Sequence, residues 1–532
     1  MTGNSAAKSV DVATLRQWLG GDGEIAFLDV REDGQHGAGH PLLAVNAPYS
    51  RLELVIGQLA PRRGCPVVLL DDSDGVAEKA ARRLAALGYS AVHVLAGGVG
   101  AWSAAGHPLF PSTNVPSKAF AEIVEHEYGT PAISAAELER RRRAGDNIVV
   151  LDSRPLDEYA RFHVPGAMTC PGAELVLRFA DLVPDAETTV VVSCAGRTRG
   201  IIGAQSLRTA GVPNRVLSLE GGTQGWRLAG FDLEHGATTT LKPASPQALA
   251  AARTRAEAVA ARFGIRHIDR ATLEAWHAEP ERTTFVLDVR TPDEFAAGHL
   301  PGSISAPGGQ LVQAIDRWVG VRGARLVLVD DTLARAVITA QWLQQMGWDV
   351  AVLDGPFDGA SLATGTTDMP EPPLPDVLRI TAAEAAHWLD GGAAAVAVMA
   401  SADYRRAHPE EAVWAIRPRL DRLPASVLQA SRIVVFAEDE AVGALAAADL
   451  AEIAGRPVAL LDGGIAVWRA AGRSFAASPG DPSDKDRIDT IFWNHDRHAG
   501  NQEAMRAYLR WETELPGEIA RDGLAGFRLQ AS

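Results

Sequence analysis

The stretch VVVSCAGRTRGIIGAQSL, residues 190–207, decides the fold. Its first half is apolar on both faces, which suits a buried parallel strand rather than a half-exposed antiparallel one. Its second half reads as a helix, and between them lies Cys194–Arg199, a polar loop of six residues. A strand that turns tightly into a helix is the unit of a parallel sheet with right-handed crossovers. In such sheets chemistry gathers at the carboxyl ends of strands, and Cys194 stands at one.

Working outward, the unit recurs. PVVLLD from Pro66, RLVLVD from Arg325 and RIVVFA from Arg432 match the strand. Another apolar strand precedes each: IAFLDVR, IVVLDSR, TFVLDVR and AAVAVMA. Before those come four helix starts, at Val10, Ile133, Ile268 and Ile380, with Asp11, Ser134, Asp269 and Thr381 at the N-cap. Ser134/Glu137 and Thr381/Glu384 have capping-box spacing. A helix ending near Gly88, Gly211, Gly347 or Gly455 follows each second strand, then a turn: AGGVGAW, EGGTQGW, DGPFDGA or DGGIAVW. The expected architecture is α/β. It has four tandem domains at 1–110, 132–236, 266–372 and 373–476, each a mainly parallel sheet flanked by helices. Linker helices occupy 111–131 and 237–265, and a helical tail spans 477–532.

Composition agrees with several folded domains. Of 532 residues 47% are hydrophobic, too many for a mainly disordered chain. A net charge of −15 argues against nucleic acid or an anionic membrane as a partner. Three cysteines cannot build a disulfide framework, and no signal-peptide or membrane-length apolar run occurs, so a cytoplasmic protein is expected.

The repeats disagree at one position. After the second strand stand Asp71, Cys194, Asp330 and Glu438. Only the second repeat offers a nucleophile. The amides of 195–199 can form an anion nest at a helix N-terminus, and Arg197 and Arg199 add positive charge. Such surroundings lower a thiol from about 8.5 to about 3.5–7.5, so an ionised Cys194 is expected. Cys65 reads as a packing residue. Cys170 reads as packing or as a second sulfur carrier near the mouth of the site.

These residues resemble the rhodanese family. The second repeat carries Asp152 and Arg154 at a D-x-R strand end, then DEYARFHVPGA, the loop CAGRTR and the closing GGTQGW. The third has DVRTPDEFAAGHLPGS, the first DVREDGQHGAGH and GGVGAW, the fourth HPEEA and GGIAVW. The resemblance covers about 1–476 and implies a sulfurtransferase of the thiosulfate type. Cys194 would be its nucleophile, carrying a transient persulfide and needing no other cofactor and no metal. Ala195, Gly196, Arg197, Thr198 and Arg199 would bind the substrate, with Arg199 closing the cup and Arg197 facing the donor. Asp152 and Arg154 would brace the fold or line the pocket, and Glu158 and His163 would brace it. Four residues between Cys194 and Arg199, rather than five, set the loop apart from the cysteine phosphatases.

The implied partners are a small anionic donor, thiosulfate or a low-molecular-weight persulfide, and a thiol or cyanide acceptor. The alternative is a relay protein that takes sulfur from a partner in sulfur metabolism. The other three repeats then read as inactive modules for scaffolding or docking, with an Asp330–Arg335 ion pair filling the third cup. In the tail, Trp493, Tyr508, Leu509 and Trp511 form a stripe suited to docking a helix on a domain. His495, Asp496 and His498 are a weak metal hint, and Arg140–Arg143 reads as a solvated helix face.

Overall fold

A computed structural model describes residues 8–238, 240–366 and 372–530. The sheet of the second repeat contains β1 (Ala132–Ile133), β2 (Ile148–Asp152), β3 (Met168–Thr169), β4 (Thr189–Ser193) and β5 (Val216–Leu219). Its strand order is β1-β5-β4-β2-β3 and every pairing is parallel. The two central strands, β4 and β2, lie between covered faces, and all five β4 residues are buried. The first, third and fourth repeats follow the same order, so the fold class read from the sequence is the observed one. No helix among the described residues is long and apolar enough to cross a membrane.

Local rules place the elements. Asp11, Ser134, Asp269 and Thr381 each accept the N–H three residues on, at 2.8, 3.2, 2.8 and 3.3 Å. The capping box closes at Thr381, where Glu384 accepts the Thr381 N–H. At Ser134 it is only half formed, because Glu137 is turned outward to a fork with Arg140 at 2.7 Å. The D-x-R strand end is a buried ion pair in three repeats: Asp29–Arg31, Asp152–Arg154 and Asp288–Arg290, at 2.7, 2.7 and 2.6 Å. Each arginine also donates to a carbonyl eight residues on (Gly39, Phe162 and Gly298), which pins the chain after the following helix. The motif histidine stacks on a ring four residues earlier in all four repeats, at 3.7–4.0 Å for His40, His163, His299 and His408.

The expected linkers are more than spacers. Helix α1 (Val115–Tyr128) buries Val115, Ala119, Phe120 and Val124 and packs on α2 (Thr198–Thr209), the helix that leaves the Cys194 loop. Helix α3 (Pro246–Phe263) buries Ala248, Ala252, Ala256, Val259 and Phe263, a stripe at helical spacing, against helices of the second and third repeats. The tail ends in α4 (Gln502–Asp522), which packs on α1.

The chain divides into two units, and their membership is not sequential. The first and fourth repeats form one. The second and third, with α1, α3 and α4, form the other. Within the first unit, Arg417 of the fourth repeat forks onto Glu53 of the first at 2.6 and 2.8 Å and reaches Asp449 at 2.9 Å. Tyr49 donates to Asp449 at 2.8 Å. Within the second, Arg335 of the third repeat reaches Glu174 of the second at 3.0 Å, and Trp342 donates to Ser206 at 2.8 Å. These charges are buried, so removing one partner strands the others. Arg417→Ala is expected to cost about 3–5 kcal/mol of stability. Urea denaturation checks this, and a midpoint unchanged from wild type would show the cluster to be incidental.

Candidate active site

Cys194 follows β4 directly, and its side chain is 3% exposed. The loop is shorter than expected: α2 begins at Thr198, so Arg199 already lies in its first turn. The N–H groups of Gly196 in the loop and Gly200 in α2 are directed at the thiol, so of the amides expected at 195–199 one points there and the next comes from beyond them. The closing GGTQGW motif is the seat of this loop. Gly222 adopts φ +53°, and a Cβ there would lie 2.2 Å from the Cys194 carbonyl oxygen. Close approach lets the Thr223 N–H donate to that oxygen at 2.8 Å, while the Gln224 N–H donates to the Ala195 carbonyl at 3.2 Å.

Both loop arginines line the cavity at Cys194, and both are already paired with carboxylates. Arg197 is forked onto Glu122 of α1 at 2.7 and 2.8 Å and also pairs with Glu125. Arg199 forks onto Glu158 at 2.7 Å through both nitrogens and donates to Gln310 of the third repeat at 3.1 Å. Burial works to raise the Glu158 carboxyl, yet the Arg199 fork holds it below the usual carboxylate range. With both charges matched, the expected depression of Cys194 is not found. Burial pushes the thiol above its ordinary value, Arg199 and the two N–H groups oppose that, and Glu512 adds to it. Arg199 still closes one side of the cup. Arg197 is a strut between the loop and α1.

Other expected residues fall away from the site. Asp152 and Arg154 are both wholly buried in their brace and are not among the residues lining the cavity at Cys194. Cys170 is wholly buried too, its thiol raised by burial, and it is absent from that lining. Cys65 is buried against its own chain, its thiol donating to the Pro66 carbonyl. His498 does line the cavity, and burial with Arg497 beside it pushes the imidazole down to about 4. His495 pairs with Asp496 at 2.9 Å.

The cavity at Cys194 is about 200 Å³. Its walls come from the 194–199 loop with Glu158 and Gln224 of the same repeat, α1 with the turn before it, the third repeat, and the tail. Lys118, Arg317 and Arg497 bring three cationic groups that the family motifs do not contain. The Arg497 Nε is buried with no hydrogen-bond partner among the described residues. Tyr508 and Glu512 of α4 lie against Gly196, and Tyr508 donates to Glu512 at 2.8 Å. The aromatic stripe of α4 therefore docks on the repeat that bears the thiol. Its polar neighbours were missed because nothing in a single sequence shows which face of a tail helix meets a loop 300 residues earlier.

In the other repeats the cup is filled or closed. Asp330 accepts the N–H groups of Arg335 and Ala336 and the Arg335 Nε at 2.9 Å, forming the expected ion pair. Asp71 accepts the N–H groups of Ser73 and Ala77 at 2.9 and 3.0 Å. In the fourth repeat Glu438 is exposed, and Asp439 caps the following helix instead.

A repeated parallel α/β domain with one strand-end thiol in an anion nest defines the class. The rhodanese-like domain family matches residues 11–105, 134–229 and 270–362, more than half of the chain. The thiosulfate sulfurtransferase of Pseudomonas aeruginosa, known from a crystal structure, is 45% identical, with a TM-score of 0.93 over 98% of this chain and 99% of its own. SseB of Mycobacterium tuberculosis is 28% identical over 244 residues, 38% of this chain and 79% of its own. The HTH-type transcriptional regulator Rv0324 of that species is 40% identical over 112 residues, 20% of this chain, and the chain spans 48% of its length. The chain belongs to the rhodanese family of sulfurtransferases.

Two outcomes follow from the geometry. Alkylation of Cys194 by iodoacetamide should accelerate only above the ordinary thiol range near about 8.5. Arg199→Ala, which removes the opposing charge, should move that profile further up. A profile centred below neutral pH would contradict the site as described. Gly222→Ala should displace the loop and cost sulfur-loading activity at least about tenfold, by analogy with other strained backbone positions.

Proposed function

We propose that the protein is a sulfurtransferase in which Cys194 alone carries the transferred sulfur. The observation that carries this reading is a single thiol at the floor of a small cavity, with two N–H groups directed at it and cationic side chains around it. In the first half-reaction the Cys194 thiolate attacks the outer sulfur of thiosulfate. A new S–S bond forms, the bond to the oxidised sulfur breaks, and its electron pair leaves with sulfite. Gly196 and Gly200 then hold the terminal persulfide anion by their N–H groups. In the second half-reaction cyanide or a thiolate attacks the outer sulfur, and the Cys194 thiolate is released. This is covalent catalysis with ping-pong kinetics.

Thiosulfate is the donor the cavity suits best. Pockets that engulf drug-sized ligands run from about 300 to 1,000 Å³, so about 200 Å³ suits an anion of a few heavy atoms better than a glutathione-sized persulfide. Lys118, Arg317 and Arg497 favour a dianion, with the Arg497 Nε as an open donor. Burial of Cys194 also weighs against direct delivery from a protein partner, which the relay alternative requires. No cofactor enters any step.

Intact-mass measurement after incubation with thiosulfate tests the reading. One added sulfur atom, discharged by cyanide and absent in Cys194→Ser, is expected. Undiminished turnover in Cys194→Ser would sink it.

A further inference from the structure

The buried thiol raises a question that the family motifs leave open, namely where its proton goes. The loop arginines cannot accept one, and His498, held low, lines the cavity beside them. Glu512 of α4 is an acidic side chain that lies against the Cys194 loop, and Glu158, the other cavity carboxylate, is taken by Arg199. Glu512 is 1% exposed, lines the same cavity as Cys194, and its carboxylate lies 3.1 Å from where a Cβ on Gly196 would stand. One oxygen accepts the Tyr508 hydroxyl at 2.8 Å and faces the Thr198 hydroxyl at 3.4 Å. The other, Oε2, is buried with no hydrogen-bond partner among the described residues. A buried carboxylate oxygen left unsatisfied is costly, and in an active cavity that cost marks a group held ready for a ligand or a proton.

We infer that Glu512 is the general base of sulfur loading, receiving the Cys194 proton as the thiolate attacks the donor. This rests on the reading that Cys194 carries sulfur. The step balances: the S–H bond breaks, the proton moves to the Glu512 carboxylate, and the sulfur pair so released forms the S–S bond while sulfite departs with its own pair. Glu512 releases that proton to solvent with the sulfite; when a thiol is the acceptor, the carboxylate then takes the acceptor's proton, its sulfur attacks the outer persulfide sulfur, and the S–S bond breaks with its pair leaving on Cys194.

The surroundings poise the carboxyl for this. Burial raises it, and Lys118 of α1, itself lowered by burial, acts in the opposite direction. Glu122 of α1 and Arg197 of the loop also face it. Further charge comes from Arg199 with Glu158, from Asp316 and Arg317 of the third repeat, and from Arg497 and His498. A carboxyl raised above its ordinary value is a stronger base, and general bases contribute about 10²–10⁴-fold.

The sign of one substitution separates this role from simple electrostatics. The Glu512 charge makes Cys194 harder to ionise. By charge alone, Glu512→Gln would therefore ease ionisation and speed loading. As a general base, its loss slows loading.

The test is stopped-flow single-turnover loading of the full chain with thiosulfate from pH 5 to 10. Wild type should show a rate that rises with pH as Glu512 ionises and then levels. Glu512→Gln should load about 10²-fold more slowly at neutral pH and recover toward wild type at high pH, where the thiol ionises unaided. Glu512→Asp should regain part of the neutral rate, which guards against a merely misfolded glutamine variant. Lys118→Arg should keep the rising limb, and loss of that limb would assign it to Lys118 and overturn the inference. Loading of Glu512→Gln at or above the wild-type rate, with Cys194→Ser inert, would overturn the role of Glu512 and leave Cys194 as carrier. A wild-type protein that takes no sulfur from thiosulfate or any small persulfide would overturn both.

Discussion

The approach of the Gly222 backbone to the Cys194 carbonyl is the constraint on which the site depends. No side chain fits there, since a Cβ would sit 2.2 Å from the oxygen. The double glycine lets a helix begin beneath the loop and present its first N–H groups to the loop's carbonyls. The same contact exists where no thiol remains: a Cβ on Gly98 would lie 2.2 Å from the Asp71 carbonyl, and one on Gly464 would lie 2.8 Å from that of Ala437. The motif is thus a requirement of the fold, and the thiol is an addition to it. The third repeat lacks the second glycine, and there Asp330 and Arg335 hold the loop, with Leu333 at φ +71°. A left-handed leucine is strained, so the substitute support comes at a conformational cost.

Charge matching then decides what the loop can do. Two arginines within a turn of a cysteine look like an activating device when only the chain is read. In three dimensions Arg197 meets Glu122 and Glu125, and Arg199 meets Glu158, and the pull of Arg199 on the thiol does not overcome burial. What remains near Cys194 is burial, and burial favours the neutral form. The cavity regains a cationic lining from Lys118, Arg317 and Arg497, which belong to α1, the third repeat and the tail. Attraction for an anionic donor and activation of the nucleophile are therefore handled by different residues.

That division explains what the sequence made legible. The repeat, the mainly parallel sheets it implies, the N-caps, the position of Cys194 and the Asp330–Arg335 pair all depend on short-range spacing, and each is present. Glu137 shows the limit of even that local logic, since an exposed arginine three residues further along the helix competes for its carboxylate. Glu122, Lys118, Arg497, Tyr508 and Glu512 were not legible as site residues. Their sequence distance from Cys194 is large, and their helices read equally well as linkers or solvated surface. The pairing of the first repeat with the fourth was hidden for the same reason. It rests on Arg417 meeting Glu53, a contact between residues with no shared pattern.

The repeats without a thiol are not equivalent spectators. In the third repeat the carboxylate that replaces the nucleophile binds Arg335, and Arg335 reaches out of its own cup to Glu174 of the second repeat. The arginine that pairs with Glu158 beside the thiol in one copy is used in the other as a bolt between copies. That bolt seats Gln310, Gln313 and Arg317 along the Cys194 cavity, and Gln310 touches Arg199 itself. A cysteine at position 330 would release Arg335 from the carboxylate that orients it and leave Glu174 with a buried charge less firmly matched. The third repeat thus contributes side chains to the wall of the Cys194 cavity and no thiol.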